Sequence, residues 1–567
     1  MPRLLRRTAL GLLGLVLTLA LVGAVAAAGL AATMGESFPR STVAAPPQGW
    51  PVPRTAPSGT TVVAVVTGAT GSVVSDVLLP YETFGRSSRF FVYTVSARRA
   101  PVPLSGGLQL VPERTFAEVD SGGAPAPDVV VVPAVVDPAG GEEAPLRDWL
   151  TRQAGRGAYV LGVCAGAKVL AVSGLLDGHR ATSFWQNLGS LRREHPAVRW
   201  VAGQRYVQDG RLVTTAGVTS GLVGALHLVD LLAGRAEADR VGRELAYPGW
   251  SPDAPTRIPQ QRLAAADLPY ALNAAFPWLR PTVGVGLSDG VGEVDVAAAF
   301  EVYSGTSFAA RTVPLAAGRT VTTRHGAVLL ADPADAAAPT VDRLVVPGVA
   351  GPDPALARWA ADRHLDVTLP HAARVTGEFA FDPVLRDLAA HADRASARTT
   401  AKFTEYPAGQ LRLTGRAWPW RPSVLGIATL AVAVVIALLP GAALRRRARR
   451  RAAAREGRPT SSSAADRAAG RASVDHRDRG ARGDVAEQPA LPGSGHPDAA
   501  VGDAAAEGTA AVPAVDPGVR PLQRGPDGVG VVGHGAQHQD VEAAVDGTGG
   551  GAAAQHEGTT QRRGRRR

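Results

Sequence analysis

Tyr159-Val-Leu-Gly-Val-Cys164-Ala-Gly-Ala-Lys-Val-Leu-Ala-Val-Ser-Gly-Leu-Leu176 joins an apolar run, a turn of small residues and a helix-like stretch with nothing between them. An uninterrupted apolar run bounded by small residues reads as a strand covered on both faces, and the stretch from Lys168 continues as a helix. Cys164, the single cysteine of the 567-residue chain, stands at the join. A side chain in such a turn lies near a helix N-terminus, where unpaired N–H groups and the macrodipole favour an anion. The thiol is therefore expected to ionise easily and to act as a nucleophile. The alternative is a cysteine that only packs, as free cysteines commonly do.

Outward from this join, strand-like and helix-like runs alternate. Thr61-Val-Val-Ala-Val-Val66, Phe90-Phe-Val-Tyr-Thr-Val95, Asp128-Val-Val-Val-Val132 and Arg211-Leu-Val-Thr-Thr215 read as strands; Ser75 to Gly85 and Thr219 to Leu232 read as helices. Alternation of this kind predicts an α/β fold, a doubly wound and mostly parallel sheet with helices on both faces. Ligands bind at the carboxyl ends of strands in such sheets, and Cys164 follows one of those ends.

The chain repeats itself at an offset near 219 residues. Val66, Asp76, Glu82 and Phe84 are matched in spacing by Val285, Asp295, Glu301 and Tyr303, and Val131-Val-Pro133 is echoed by Val345-Val-Pro347. Two tandem domains of one fold follow, with chance similarity in an Ala/Val-rich chain as the alternative. Aligning Val163–Val169 with Leu369–Val375 sets Pro370 opposite Cys164, so the second copy lacks the nucleophile.

Charge is clustered. Arg3, Arg6 and Arg7 open the chain, seven arginines lie between Arg445 and Arg455, and five close it; leaving these fifteen out of the formal +10 gives −5 for the rest. The high pI is thus no nucleic-acid footprint. Ala9–Ala32 and Val424–Leu444 are uncharged and long enough to span a bilayer, and the arginines beside them are topology signals. Both basic flanks are expected in the cytoplasm, with residues from about 35 to 422 outside. The first apolar stretch reads as an anchor, with a cleavable signal peptide as the alternative. One cysteine cannot form an internal disulfide, so exported domains must hold by packing. The expected organisation is a membrane segment at 1–35, a Pro-rich spacer at 36–60, domains at 61–235 and 281–395, linkers at 236–280 and 396–422, a transmembrane helix at 423–444, and an Arg-rich, then disordered, tail at 445–567.

Val163-Cys-Ala-Gly-Ala167, Gly174-Leu-Leu-Asp-Gly-His-Arg-Ala-Thr182, Asp209–Gly221 and Leu226-His-Leu-Val-Asp230, in that order, resemble the ThiJ/PfpI family, whose fold is class I glutamine amidotransferase-like and flavodoxin-like. The subgroup most similar comprises the amidase-like sensor domains of AraC-type regulators and the isocyanide hydratases. The resemblance covers residues 60–235 well and 281–395 weakly. It implies that Cys164 occupies a nucleophile elbow and that Asp76, four residues before Pro80, holds the sulfur. It also implies oxyanion donors at Ala165 and at Ala134-Val135, where the family has Gly-Gly. A histidine of the relatives falls between Ser183 and Trp185, where this chain has Phe184. His195 and His227 are weak substitutes for it.

These residues support a membrane-anchored, extracytoplasmic module that binds or senses a small molecule through a Cys164/Asp76 pocket with Phe184 and Trp185 beside it. The alternative is a cysteine-dependent hydrolase or lyase in which Asp76 moves the proton; a partner platform is the third reading. No nucleotide fingerprint and no metal cluster is visible in the sequence, so no cofactor is expected. The expected partners are a small-molecule ligand and the membrane, with a homodimer possible from the resemblance and no nucleic acid.

Overall fold

Val129–Val132 and Tyr159–Gly162 are apolar along their length, without the alternation of a half-exposed strand, and such segments are stable only when covered on both faces. The computed structural model describes residues 2–40, 46, 49–373 and 377–456. In chain order its strands are β1 (Thr61–Val66), β2 (Phe90–Ser96), β3 (Val102–Leu104), β4 (Leu108–Val111), β5 (Arg114–Thr115), β6 (Val129–Val132), β7 (Tyr159–Gly162), β8 (Arg180–Ala181) and β9 (Arg199–Trp200). They continue with β10 (Tyr206–Asp209), β11 (Leu212–Thr215), β12 (Thr282–Gly286), β13 (Arg311–Ala316), β14 (Thr320–Thr322), β15 (Val328–Leu330), β16 (Asp332–Pro333), β17 (Arg343–Val345) and β18 (Val367–Thr368).

Seven strands form the first sheet in the order β10-β11-β7-β6-β1-β2-β5, parallel except for β10. The mostly parallel α/β arrangement expected from the alternation is the one that forms. Its antiparallel edge comes from Asp209-Gly210, where Gly210 at φ 63° allows a tight hairpin turn. The chain leaves β1 toward β2 on one side and returns through β6 and β7 on the other, so a crevice opens beyond the carboxyl ends of β1, β6 and β7. Cys164 and the helix Val74–Gly85, which carries Asp76, both sit at that end.

A second parallel sheet has the order β16-β13-β12-β17-β18. Val63 lies opposite Val92 in the β1/β2 pair, and Thr282 lies opposite Arg311 in the β12/β13 pair, each residue 219 positions after its counterpart. Between the two sheets runs a four-stranded antiparallel sheet, β14-β15-β4-β3. At its centre Leu110 faces Leu329, flanked by Val111 against Val328 and Gln109 against Leu330. The helices Val74–Gly85 and Glu293–Phe300 pack on one another. Glu82 accepts a hydrogen bond from the Val294 amide at 2.6 Å, and Glu301 accepts one from the Ser75 hydroxyl at 2.8 Å. One apolar core takes in residues of both halves.

Several segments read as connections have structure. Within 236–280 lie all but the first residue of the helix Arg235–Leu245, and the whole of the helix Leu268–Ala275; within 396–422 lies most of the helix Arg394–Phe403. The first of these buries Ala238, Val241 and Leu245 at helical spacing among charged residues, a pattern that its polar composition masks. The third is capped by Asp393, which accepts from the Ser396 amide at 2.7 Å. The spacer is fastened as well, since Arg54 donates to Glu113, the Tyr81 hydroxyl and the Val92 carbonyl. Residues 41–45, 47–48 and 374–376, and the tail from 457, lie outside the described residues.

Thr8–Ser37 and Trp420–Ala454 are helical stretches long and apolar enough to cross a membrane. The second continues as helix through the arginines to Glu456, beyond the expected end at 444. The two run antiparallel: Gly14 lies against Ala437, while Gly29 and Gly426 both lie against residues 275–277.

Candidate functional site

Cys164 has φ 56°, a left-handed conformation that costs energy for a residue with a Cβ and marks a sharp turn between β7 and the helix Gly166–Val172. The turn can close this tightly because residue 166 is glycine: a Cβ there would lie 2.1 Å from the Val132 carbonyl oxygen. The Cys164 amide donates to the Thr215 hydroxyl at 3.2 Å, and its carbonyl accepts from the Ser183 hydroxyl at 2.9 Å. The backbone of the join is thus held from β11 and from the 182–185 segment together.

Cys164 as a residue is 6% exposed, and its thiol is buried. Burial pushes its pKa well above the ordinary value, the charges of Asp76, Glu405 and Glu301 push it the same way, and only the Ala165 amide, bonded to the sulfur, works against them. The ease of ionisation expected from the helix N-terminus is therefore overridden. A seven-residue helix offers a partial charge, whereas desolvation and three carboxyls act directly on the sulfur.

Asp76 is fully buried, and burial drives its carboxyl toward the neutral form, with the Glu301 charge adding to the shift. The Ala134 amide opposes this by donating to Oδ2 at 3.0 Å, while Oδ1 is without a partner. The Ala134 amide is accordingly engaged by Asp76 and not free as an oxyanion donor. Val135 bridges to Ser72. Ala165 remains the donor at the sulfur.

Phe184 and Trp185 lie beside the turn and pack edge-on or tilted against Phe403. His227 is directed elsewhere: its Nε2 meets Gln208 Oε1 at 2.7 Å and its ring stacks on Tyr206. His195 ends the helix Leu188–Glu194.

Two carboxyls at the site were not assigned to it from the sequence. Glu301 belongs to the repeat pattern, which gave it a place but no role; it bonds Ser75 and Thr306, and burial raises its pKa. Glu405 lies in a stretch read as linker. Its Oε2 accepts from the Gly217 amide at 2.7 Å and the Ser220 hydroxyl at 3.4 Å, and burial raises its pKa to about 7. The Thr219 amide and hydroxyl both donate to the Thr404 carbonyl, fixing the turn that carries it.

Among the described residues, Glu82, Glu293 and His325 bring three potential metal-ligand atoms within 4.8 Å of one another. Glu82 lies 211 positions before Glu293, and Glu293 lies 32 before His325, which hid the group in the sequence. Each is already bonded: Glu82 to Arg86, and Glu293 to His325 and Thr323.

Residues 62–231 match the DJ-1/PfpI family. Isonitrile hydratase of Pseudomonas putida is 36% identical over 175 residues, which are 30% of this chain and 72% of that protein. The chain belongs to the DJ-1/PfpI family. Protein dj-1beta of Drosophila melanogaster is 30% identical over 146 residues, 25% of this chain and 75% of the relative. The HTH-type transcriptional regulator CdhR of Pseudomonas aeruginosa is 29% identical over 174 residues, 31% of this chain and 49% of the regulator, so the match spans about half of that protein's length. The DJ-1/PfpI match takes in Cys164 and Asp76; Glu301 and Glu405 lie beyond it.

Proposed function

We propose that the chain is a membrane-anchored, extracytoplasmic DJ-1/PfpI-domain protein whose Cys164/Asp76 pocket binds a small ligand in a sensing role. The observation that carries this reading is the thiol's setting: buried, with three carboxyls bearing on it, the sulfur is kept protonated, a state suited to recognition more than to attack. A ligand that fills the pocket should raise the melting temperature of the wild type and not of Cys164→Ala. Substantial turnover of a small carbonyl, amide or isocyanide substrate, lost in Cys164→Ala, would instead favour catalysis.

The reading includes a domain at 61–235 and a degenerate second copy at 281–395. Equal register at an offset of 219 in β1/β2 and β12/β13 supports the second copy, as does the pairing of Leu110 with Leu329, its own counterpart. Glu82 and Val294 are the counterparts of Glu301 and Ser75, so the bonds between the halves are reciprocal, as across a two-fold axis. Where the first half has Cys164 and Asp76, the second has Pro370 in the turn after β18, with His371 3.5 Å from Asp295. The antiparallel apolar helices with arginines at their common end support anchoring with both ends in the cytoplasm.

A second reading, a cysteine-dependent hydrolase or lyase, draws on the likeness to isonitrile hydratase and on Asp76. In its neutral form Asp76 can give its proton to the substrate as the sulfur attacks, and the carboxylate so formed takes up the thiol's proton.

A further inference from the structure

A cavity borders the Cys164 turn, and Glu405 is part of the wall between them. It has a volume of about 140 Å³ and is lined by Thr182, Ser183, Trp185, Gln204, Ala216 and Glu405, among others. Its inner wall is the outer wall of the thiol site: Ser183 bonds the Cys164 carbonyl, and Ala216 follows Thr215, which bonds the Cys164 amide. Glu405 completes that wall. It lines the cavity on one side, its charge bears on the sulfur on the other, and φ 51° at Glu405 bends the chain sharply after the helix Arg394–Phe403.

The polar groups around the wall are mismatched for an empty space. Among the described residues, the buried Trp185 indole N–H in the cavity lining has no acceptor, and Oδ1 of fully buried Asp76, whose charge bears on the sulfur, has no partner. Buried donors without acceptors are costly and mark places where a partner belongs. The donors that are satisfied, the Gly217 amide and the Ser220 hydroxyl, are satisfied by a carboxylate from a segment outside the family match.

We propose that this cavity, continued to Cys164, is the binding site for a small carboxylate, and that Glu405 is its tethered stand-in: an incoming carboxylate takes the Gly217 and Ser220 donors, and the displaced Glu405 turn uncovers the thiol. This rests on the reading of the Cys164 pocket as a ligand site and names its ligand class and its gate. Arg205 tempers the charge of Glu405, and Tyr247, held between Arg205 and Thr219, closes the same corner, so the seat is built for one negative charge.

The test uses the full chain in detergent, whose sole cysteine makes iodoacetamide labelling a direct readout, with acetate as the probe. Glu405→Gln and Glu405→Ala should each speed labelling by about tenfold, the equivalent of one unit in the thiol pKa. Acetate should slow labelling of Glu405→Ala and raise its melting temperature more than it does for the wild type, while chloride at equal ionic strength should not. Should Glu405→Ala fail to fold, the near-isosteric Glu405→Gln decides. A wild type that already reacts at the rate of a free thiol, with Glu405→Gln no faster, overturns the gate and leaves the pocket reading standing. A thiol inert in every folded form overturns both. Faster labelling without acetate protection overturns the carboxylate assignment.

Discussion

At Asp76 the neutral form and the hydrogen bond from Ala134 make opposite demands on substitution. An amide keeps an acceptor for the Ala134 N–H and carries no charge, so Asp76→Asn should change stability by less than about 1 kcal/mol. Asp76→Ala leaves that buried N–H unpaired and should cost about 1–3 kcal/mol, read as a drop in melting temperature. Glu405 has a pH signature. Its folded pKa of about 7 lies above the unfolded value, so between pH 4.5 and 7 the folded state holds more protons than the unfolded one, and stability falls as pH rises through that window. Glu405→Gln should flatten this fall and be the more stable protein above pH 7, by about 1–2 kcal/mol after allowance for partial solvent screening. Melting curves at pH 5 and pH 8 check both parts, and a wild type more stable at pH 8 than the variant would count against it. Cys164 could be proposed from a short local pattern, an elbow of small residues, and Asp76 from the family resemblance, which its place four residues before Pro80 supports. Glu405 could not, because its meaning depends on Gly217 and Ser220, 188 and 185 positions away, and no local pattern carries a contact of that span.

The same contrast holds among elements. Strands such as β6 and β7 announce themselves by continuous apolar runs, and the parallel sheet follows from their alternation with helices. The β3/β4 and β14/β15 hairpins do not, being three or four residues each and stable only because they pair with each other. A tight junction of the site is the β7-to-helix turn, where Gly166 meets the Val132 carbonyl that also accepts from the Val163 amide. Gly166→Ala must push β6 and the turn apart and should cost about 1–3 kcal/mol, with Cys164 displaced and more open to alkylation. Gly155, at the end of the helix Ala144–Gly155, has nothing within 4 Å of an added Cβ. Gly155→Ala should therefore be neutral or stabilising by up to about 1 kcal/mol. Equal melting temperatures for the two variants would mean that the elbow tolerates more slack than its geometry implies.

For the molecule as a whole, the question is which side of a membrane the thiol pocket faces. The stretch Thr8–Ser37 spans roughly 45 Å as a helix, more than the roughly 30 Å of a bilayer's hydrocarbon core, and Trp420–Ala454 is longer. The two run antiparallel, which brings the arginines before Thr8 and those from Arg445 onward to one end. A cluster of seven arginines strongly resists translocation, so that end is expected in the cytoplasm, and the α/β region at the other end is expected outside. The buried native cysteine makes the experiment simple, since an exposed cysteine added on either side labels far faster than Cys164. In cells, Ser58→Cys, exposed just before β1, should react with a membrane-impermeant maleimide without lysis. Ala448→Cys, exposed among the arginines, should react only after the membrane is opened. Labelling of both in intact cells would show that the helices do not separate two compartments, and the reverse pattern would put the Cys164 pocket in the cytoplasm, where its ligand would have to be a metabolite rather than an external signal.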